Sequence, residues 1–273
     1  MDEIPFIVPP LAEQQAIAAY LDAKCGKVDS LVAELDQQVS DLSDLKKSEI
    51  SRVVTKGLDP NVSLKDSGIE WIGMIPKNWI VVPLKRTGFF ENGLTYSPSD
   101  VCDDDGVLVL RSSNIQNSEL SFEDNVYVSK APSELLVKKG DIIVCSRNGS
   151  AALIGKCAQI KEDIHASFGA FMMRYSPNIN VRFAFYAFQN AMGMNRSLYT
   201  TSTINQLTKG VISMISLAIP NEQEQQAIAD YLDAYCSKID ATISEIKSQI
   251  ADLKLYKQSI ISEAVTGKIR VTD

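Results

Sequence analysis

The sequence is poor in the residues that build metal and disulfide sites. Its 273 residues include five cysteines and a single histidine, His165, and no two cysteines form a CxxC pair. Zinc sites of the common structural type need several cysteines and histidines at short, regular spacings. We therefore expect no metal site, and this use of cysteine fits a reducing compartment.

Long apolar runs are also missing. No stretch approaches the roughly 20 apolar residues that a membrane-spanning helix requires. After Met1, the next two residues, Asp2 and Glu3, are acidic where a signal peptide is basic. Hydrophobic residues still make up 45% of the chain, which is ample for a packed core. The sequence predicts a folded cytoplasmic protein with no membrane partner.

The chain lacks the motifs of the common enzyme classes. It contains no GxGxxG, Walker GxxxxGKS/T, HExxH or GxSxG motif, and its central part has no Asp/Glu-x-Lys pair of the kind found in nuclease metal sites. No cysteine or serine nucleophile pattern surrounds His165, which favours a structural or surface role for it. We expect no catalytic residues and no cofactor.

Positive charge is scarce overall but unevenly distributed. The chain has 27 Lys and Arg against 34 Asp and Glu, a net charge of −7, which excludes a protein that coats nucleic acid with a basic surface. Residues 1–59 carry a net −5 and residues 218–273 a net −3, whereas residues 60–217 carry a net +1. This balance is still compatible with a local DNA-binding surface, and the excess of acidic residues lies in the two flanking segments.

A repeat organises the chain. Residues Pro9–Thr55 match the segment 211 positions later at 24 of 47 positions without a gap. Pro220 and Asn221, with Glu224 three residues on, predict a helix start, and Lys56-Gly57 and Gly267-Lys268 predict helix ends. Each copy is therefore expected to form one helix of about 45 residues.

Apolar residues recur at alternating steps of four and three in both copies, the pattern of a coiled-coil seam. The two seams are Leu21, Cys25, Val28, Val32, Leu35, Val39, Leu42 and Leu232, Cys236, Ile239, Ile243, Ile246, Ile250, Leu253. A helix of this length measures about 65 Å, whereas the intervening domain should be about 40 Å across, with its termini close together. The two helices are therefore predicted to pair in antiparallel fashion.

The central block is predicted to be an α+β domain. Its β-rich runs are 107–110, 141–146, 155–160 and 168–175, and residues 182–192 form an apolar helix candidate. A polar run then spans Ser197–Gln206 and is rich in groups that donate and accept hydrogen bonds, as base edges and phosphates require. Such a run is equally compatible with an ordinary solvated loop.

Several motifs resemble those of the specificity subunits of Type I restriction-modification systems. The phrase Pro-x-x-x-Glu-Gln-Gln-Ala-Ile-Ala-x-Tyr-Leu-Asp occurs at Pro9–Asp22 and again at Pro220–Asp233. Three further segments resemble the framework of that family's recognition domains. They are Lys65–Gly73 with Ile75-Pro76-x-x-Trp79, Leu110-Arg111-x-Ser113-Asn114-Ile115, and Lys139–Ile143. The resemblance covers nearly the whole chain.

The resemblance implies a non-catalytic DNA reader. In that family each recognition domain reads half of an interrupted site on double-stranded DNA, and the conserved helices dock the modification (methyltransferase) subunits. Adenine methylation belongs to those subunits, and translocation and cleavage to a separate restriction subunit. The resemblance is to a half subunit with one recognition domain, because Ile4–Val8 aligns with Ile215–Ile219 as the last strand of a missing first domain.

The predicted fold class is α+β, with one mixed α/β target recognition domain flanked by two long helices that pair as an antiparallel coiled coil. The expected segments are 1–8, a remnant strand; 9–57, the first long helix; 58–219, the recognition domain; 220–267, the second long helix; and 268–273, a tail.

Candidate DNA-binding residues follow from side-chain chemistry at strand ends and in polar loops. Arg and Asn can make bidentate contacts to guanine and adenine, and Tyr can pack on sugar or on a thymine methyl. The candidates are Tyr96, Arg111, Asn114, Arg147, Asn148, Tyr199, Thr200, Thr201, Ser202, Asn205 and Gln206. For each of them a turn or surface role is the competing interpretation, and Trp71 and Trp79 are interpreted as packing anchors where helix and domain meet.

Two questions stay open at this point. The alternative function is a coiled-coil scaffold whose central domain binds protein, with the acidic helices as its interface. Two copies are expected to associate, as a homodimer or through the modification subunits, and to read a symmetric interrupted site, because two-fold assemblies place identical readers on the two strands. The alternative is a monomer in which the helix pair satisfies its own seam.

Overall fold

The computed structural model describes residues 8–196 and 206–271. Two compact units are present. The helix-pair unit comprises residues up to Lys47 and from Ala234 onward, and the sheet unit comprises Ser48–Asp233. None of the helices in these ranges is long and apolar enough to cross a membrane.

The described residues form four helices, α1 (Leu11–Lys56), α2 (Val181–Met194), α3 (Lys209–Met214) and α4 (Glu222–Val265). The strands are β1 (Leu64–Asp66), β2 (Met74–Pro76), β3 (Ile80–Pro83), β4 (Gly88–Asn92), β5 (Val101–Cys102), β6 (Val107–Leu110), β7 (Ile115–Gln116), β8 (Glu119–Leu120), β9 (Tyr127–Val128), β10 (Ile142–Cys145), β11 (Cys157–Gln159), β12 (Ala166–Phe168), β13 (Met172–Pro177) and β14 (Ser216–Ile219). Helices α1 and α4 contain 46 and 44 residues, which confirms the predicted length of about 45.

In the helix-pair unit, α1 and α4 run antiparallel, as predicted. Lys46 Nζ donates to Asp240 Oδ1 at 2.7 Å, and Lys257 Nζ donates to Asp29 Oδ1 at 2.7 Å. Moving 17 residues toward the start of α1, from Lys46 to Asp29, therefore corresponds to moving 17 residues toward the end of α4. Only an antiparallel pair gives that relation.

The same two ion pairs show that the helix pair is approximately two-fold symmetric. Asp29 and Asp240 occupy equivalent positions of the repeat, and so do Lys46 and Lys257. Each copy therefore donates its lysine to the aspartate of the other copy. Because these side chains are partly exposed, the ion pairs contribute little net stability. Their main effect is to favour the antiparallel direction and this register of the two helices.

The predicted seam coincides with the less exposed side of both long helices. Every seam position is buried or half-buried, while the positions between them are mostly exposed. Val28, Ile246 and Ile250 are among the most buried. A two-helix rod cannot enclose its seam completely, so several apolar side chains of this unit remain accessible.

The helix ends follow the predicted signals. Asn221 caps α4, since its Oδ1 accepts the backbone N–H of Glu224 at 3.0 Å. Helix α1 ends at Lys56, and Gly57 follows with a left-handed φ of +75° while its N–H donates to the Val53 carbonyl at 3.0 Å. A left-handed residue after the last helical turn is a common helix end, and glycine adopts it without the steric cost of a Cβ.

The sheet unit contains two four-stranded sheets. One has the order β11-β10-β13-β4 and is antiparallel, and the other has the order β12-β6-β9-β5, in which β12 and β6 are parallel. Strands β3 and β14 pair across the unit, with Ile80 opposite Ile219. The first and last long strands of the domain therefore lie side by side, which explains why its termini are close.

An aromatic stack forms part of the core of the sheet unit. The ring of Tyr175 stacks on Phe90 at 4.7 Å and on Phe188 of α2 at 5.3 Å between centroids. Burial raises the pKa of the Tyr175 hydroxyl to about 12, and that hydroxyl donates to the Thr87 carbonyl at 3.1 Å. Trp79 is fully buried in the same unit, in line with its interpretation as a packing anchor.

One predicted strand is wrong. The run 168–175 was expected to be continuous, but the structure divides it into β12 and β13, separated by a turn at 169–171. The turn is closed by a hydrogen bond from Met172 N–H to the Gly169 carbonyl at 2.8 Å. Apolar periodicity could not reveal this turn, because Phe171 continues the hydrophobic pattern while pointing to solvent.

Candidate nucleic-acid interface

The loops that follow three strands meet at one edge of the sheet unit. Because β6 and β12 are parallel, their ends coincide, and Gly169 N–H donates to the Leu110 carbonyl at 2.9 Å. Strand β10 ends at Cys145, opposite Met172 at the start of β13. Residues 111–114, 146–150, 169–171 and 206 therefore lie together, and we call this surface the strand-end edge.

Arg147 is the most accessible cation of the strand-end edge. Its guanidinium lies over the Phe171 ring, 5.4 Å from the centroid, and its backbone forms a bridge with Gln206. Both Arg147 and Gln206 are exposed. Among the residues that the structure describes, no carboxylate pairs with the Arg147 guanidinium.

Asn148 connects two of the loops. Its Nδ2 donates to Ser112 Oγ at 3.2 Å, and its Oδ1 accepts the backbone N–H of Ser150 at 2.9 Å. Lys156 Nζ donates to the Ser112 carbonyl at 3.0 Å from the same side. Asn148 is half-buried, so its amide orders the edge and still presents a polar surface.

Arg111 is committed to an internal ion pair. Its guanidinium donates to Asp124 Oδ1 at 2.9 Å and to the Asp124 carbonyl at 3.0 Å, and its side chain is 31% exposed. Its Nε is buried, with no hydrogen-bond partner in the described part of the chain. The charge of Arg111 is therefore largely compensated within the loop.

Asn114 is fully buried and holds the loop together. Its Oδ1 accepts the Arg111 backbone N–H at 3.0 Å, and its Nδ2 lies within hydrogen-bond distance of the carbonyls of Ser121 and Asp124 and of Asn125 Oδ1. An amide enclosed in this way cannot reach a base in this conformation. Its placement argues for a structural role in the short turn at 112–114.

The other candidates are placed less centrally or lie outside the described residues. Tyr96 is half-buried against the cluster formed by Val107, Val109 and Val128. The candidates Tyr199, Thr200, Thr201, Ser202 and Asn205 lie outside the described residues.

Sequence reasoning missed three side chains of this region. Lys156, directly before β11, contacts the edge, and Arg196 Nη1 donates to the Ala152 carbonyl at 3.2 Å. Phe171 stands at the tip between β12 and β13 and is 58% exposed. Phe171 was concealed within an apparent strand, whereas a lysine or arginine in a loop carries no distinguishing sequence signal.

The strand-end edge offers polar and cationic contacts but no activated nucleophile. Burial raises the pKa of the Cys145 thiol, and the nearby ammonium of Lys156 opposes that shift only in part. A thiol with a raised pKa is protonated at neutral pH and is a poor nucleophile. In the described ranges no group of three or more His, Cys, Asp or Glu side chains is arranged to hold a metal ion.

A second polar cluster joins α2 to the start of α4 within the sheet unit. Arg182 donates to Asp233 Oδ2 at 2.6 Å and to Asp230 Oδ1 at 2.7 Å, and the Tyr186 hydroxyl donates to Asp233 Oδ1 at 2.7 Å. The hydrogen bond that Arg182 donates to Asp233, followed by the one that it donates to Asp230, raises the pKa of Arg182. A hydrogen bond from Gln226, followed by that from Arg182, lowers the pKa of Asp230.

The two copies of the repeat differ in burial at their helix starts. Gln225 Nε2 donates to the Pro220 carbonyl at 2.9 Å, and the equivalent Gln14 Nε2 donates to the Pro9 carbonyl at 2.7 Å. In α4 the residues at 225, 228, 229 and 232 are buried, but their equivalents at 14, 17, 18 and 21 in α1 are exposed or half-buried. The same phrase therefore forms the same helix start whether its apolar residues are buried or exposed.

Known proteins match both the sequence and the fold. A family model described as the Type I restriction modification DNA specificity domain matches residues 76–252. The EcoKI specificity subunit of Escherichia coli K12 is 27% identical over 206 residues, covering 72% of this chain and 44% of the relative. The MjaVIII specificity subunit of Methanocaldococcus jannaschii is 28% identical over 289 residues, covering 99% of this chain and 63% of the relative. This chain thus spans about half the length of such relatives.

Solved structures have the same fold. A chain from a study of complex assembly and conformational transition in the type I R-M system superposes with a TM-score of 0.70 at 19% identity, covering 94% of this chain and 60% of that one. The HsdS subunit from Thermoanaerobacter tengcongensis gives 0.54 at 17% identity, covering 97% and 60%. Together with the family match over most of its length, these results show that the chain belongs to the Type I restriction-modification DNA specificity family.

Proposed function

We propose that this chain is a non-catalytic recognition subunit that reads one half-site of an interrupted target on double-stranded DNA. The observation that carries the proposal is the strand-end edge. In a chain of net charge −7, this edge presents the exposed Arg147 beside Asn148 and Gln206. Side chains of this chemistry make the base-edge contacts that specify sequence.

We narrow the proposed contact set according to the burial and hydrogen bonds of its members. Arg147, Asn148 and Gln206 are the proposed readers in the described region, and the polar residues 199–202 and 205 adjoin Gln206 in the sequence. We propose that Arg111 contributes through its ion pair with Asp124 and makes no direct base contact. We propose that Asn114 stabilises the conformation of the loop and does not contact DNA. Tyr96 stays a peripheral candidate. The proposed recognition domain is 58–219, with 9–57 and 220–267 as its helices.

The helix pair is proposed to dock the methyltransferase subunits. A groove on its surface is lined by Gln38, Asp41, Leu42, Leu45, Thr242 and Ile246. Leu45 is 51% exposed, and its repeat equivalent, Tyr256, is 54% exposed. Because the helix pair is approximately two-fold symmetric, it carries two equivalent apolar surfaces. We propose that each surface binds one methyltransferase subunit. In this proposal the restriction subunit joins the assembled complex, which operates in the cytoplasm.

Association of two copies is proposed at the first turns of α1. Leu11 is 69% exposed and Val8 is 70% exposed there, next to Ile17 and Ala18, whose equivalents in α4 are buried. A two-fold contact between such surfaces would place two identical readers on a symmetric interrupted site. Light scattering tests this contact. Ala18→Glu should give a monomer if the wild type is a dimer, and a monomeric wild-type protein would contradict the proposal.

The decisive experiment mixes the full chain with the methyltransferase subunits encoded beside it and maps the methylated adenines on a plasmid library. A defined interrupted motif is expected. Arg147→Ala should change the motif, and Lys139→Ala, a lysine outside the strand-end edge, should leave it unchanged. A complex that assembles but methylates no defined sequence would contradict DNA reading and favour a scaffold whose central domain binds protein.

A further inference from the structure

The tip between β12 and β13 is held rigidly against the end of β10. The carbonyl oxygen of Phe171 accepts three hydrogen bonds, from Ser146 N–H at 3.0 Å, Arg147 N–H at 3.1 Å and Ser146 Oγ at 3.0 Å. All three act on the backbone of residue 171, so they fix the tip whatever side chain it carries. The Phe171 side chain is thereby presented to solvent from a preorganised position.

Gln206 and Leu207 hold the other side of this site. Leu207 N–H donates to the Ser146 carbonyl at 2.7 Å, and Leu207 is almost completely buried. The backbone of Arg147 is therefore bonded to the tip on one side and bridged to Gln206 on the other. Little conformational freedom remains at Arg147 beyond its own side chain.

Phe171 reduces that side-chain freedom as well. The Arg147 guanidinium lies over the Phe171 ring at 5.4 Å, within the range of a cation–π contact. A guanidinium packed against a ring by its face keeps its edge free for two parallel hydrogen bonds. The Phe171 ring is 58% exposed beside a solvated arginine, so its outer face is free to pack on a ligand.

We infer that Phe171 and Arg147 together recognise a guanine with an adjacent thymine in the major groove, an inference that rests on the proposed DNA-reading function. Arg147 donates to O6 and N7 of the guanine, and the Phe171 ring packs on the C5-methyl of the thymine. Phe171 is thus a specificity-determining residue as well as the support that positions Arg147. Both contacts arise from one rigid site, which restricts the two bases to neighbouring positions.

The test uses the full chain assembled with its methyltransferase subunits and a duplex carrying their methylation motif. Each thymine of the half-site is replaced in turn by deoxyuridine, which removes only the C5-methyl. Each guanine is replaced by 7-deazaguanine, which removes only the N7 acceptor. At one adjacent pair of positions, deoxyuridine should raise Kd about fourfold and 7-deazaguanine about fivefold.

The variants assign each effect to its residue. In Phe171→Ala the deoxyuridine effect should disappear, and in Arg147→Ala the 7-deazaguanine effect should disappear. Phe171→Leu should retain part of the deoxyuridine effect, because leucine keeps an apolar contact. The matched control is Phe89→Ala, since Phe89 is 76% exposed but lies opposite Ser176, toward the far end of β13.

The outcomes separate this inference from the function on which it rests. A wild-type complex without sequence-specific binding or methylation would overturn both. Specific binding to a half-site in which no such pair of positions is found would overturn the inference alone. The same holds if the deoxyuridine effect persists in Phe171→Ala or is lost equally in Phe89→Ala.

Discussion

Two asparagines of the strand-end edge should respond to alanine substitution in opposite ways. Asn114 is fully buried, and its amide contacts the Arg111 backbone and the carbonyls of Ser121 and Asp124. Asn148 is half-buried, and its side chain donates to Ser112 and accepts from Ser150. The first substitution should therefore affect stability, and the second should affect which DNA is methylated.

The expected magnitude follows from the groups that lose their partners. Each buried polar group left unsatisfied costs about 1 to 3 kcal/mol, so Asn114→Ala should lower the free energy of unfolding by about 2 to 4 kcal/mol. At about 2 to 4 °C per kcal/mol for a chain of this size, the unfolding temperature should fall by roughly 5 to 15 °C. Asn114→Asp should be at least as destabilising, because it places a carboxylate against carbonyl oxygens.

The unfolding temperatures of both variants and the DNA motifs that they methylate in the assembled complex are measured. These two measurements separate an effect on stability from an effect on specificity. Asn148→Ala should unfold within a few degrees of the wild type and methylate an altered motif. The assignment of Asn114 to the loop would be refuted if Asn114→Ala were as stable as the wild type and changed the motif. The methylation assay is run at a temperature below the unfolding temperatures of both variants, so that the two variants are compared at the same folded fraction.

Four further predictions concern the helices and the charge of the edge. Gly57→Ala should lower the free energy of unfolding by at least about 1 kcal/mol in chemical denaturation, because alanine is strained at a left-handed φ of +75°. Lys46→Glu should lower the unfolding temperature, and adding Asp240→Lys should restore most of the loss, whereas equal effects of the single and double variants would contradict the pairing. Mild oxidation should give no Cys25–Cys236 disulfide within one chain by mass spectrometry. Cys25 lies near Lys257, and Lys257 is 21 residues beyond Cys236 on α4, so the two cysteines are about 30 Å apart. DNA affinity should fall about 40-fold between 50 and 200 mM salt, as expected for about three phosphate contacts, and a salt-independent affinity would exclude the electrostatic contribution.

The long helices were predictable because their signals are local and repeated. The seam recurs over seven positions in each copy, and Asn221 and Gly57 mark ends that the structure reproduces. The antiparallel direction was also accessible, since it needs only a domain with neighbouring termini. The pairing of β3 with β14 provides that proximity.

The strand-end edge was only partly predictable. The sequence identifies Arg147 and Asn148 as polar residues after a strand, but it cannot show that Asn114, of the same chemistry, is enclosed by a later loop. The contact partners of Asn114 lie 7 to 11 residues further on, and no periodicity relates them. Phe171 was missed for the converse reason, because an apolar residue in an apolar run is assumed to be buried.

Divergence within the repeat favours self-association over a second docked domain at the first turns of α1. Asp230 and Asp233 both bind Arg182 at the start of α4, but the residue equivalent to Asp230 in the first copy is Ala19, and only Asp22 is retained. A domain that docked on α1 through an arginine would find one carboxylate instead of two. The alanine also makes that face more apolar, next to exposed leucine and valine side chains. A surface that loses charge while keeping its apolar residues is better suited to an identical surface than to a cationic one.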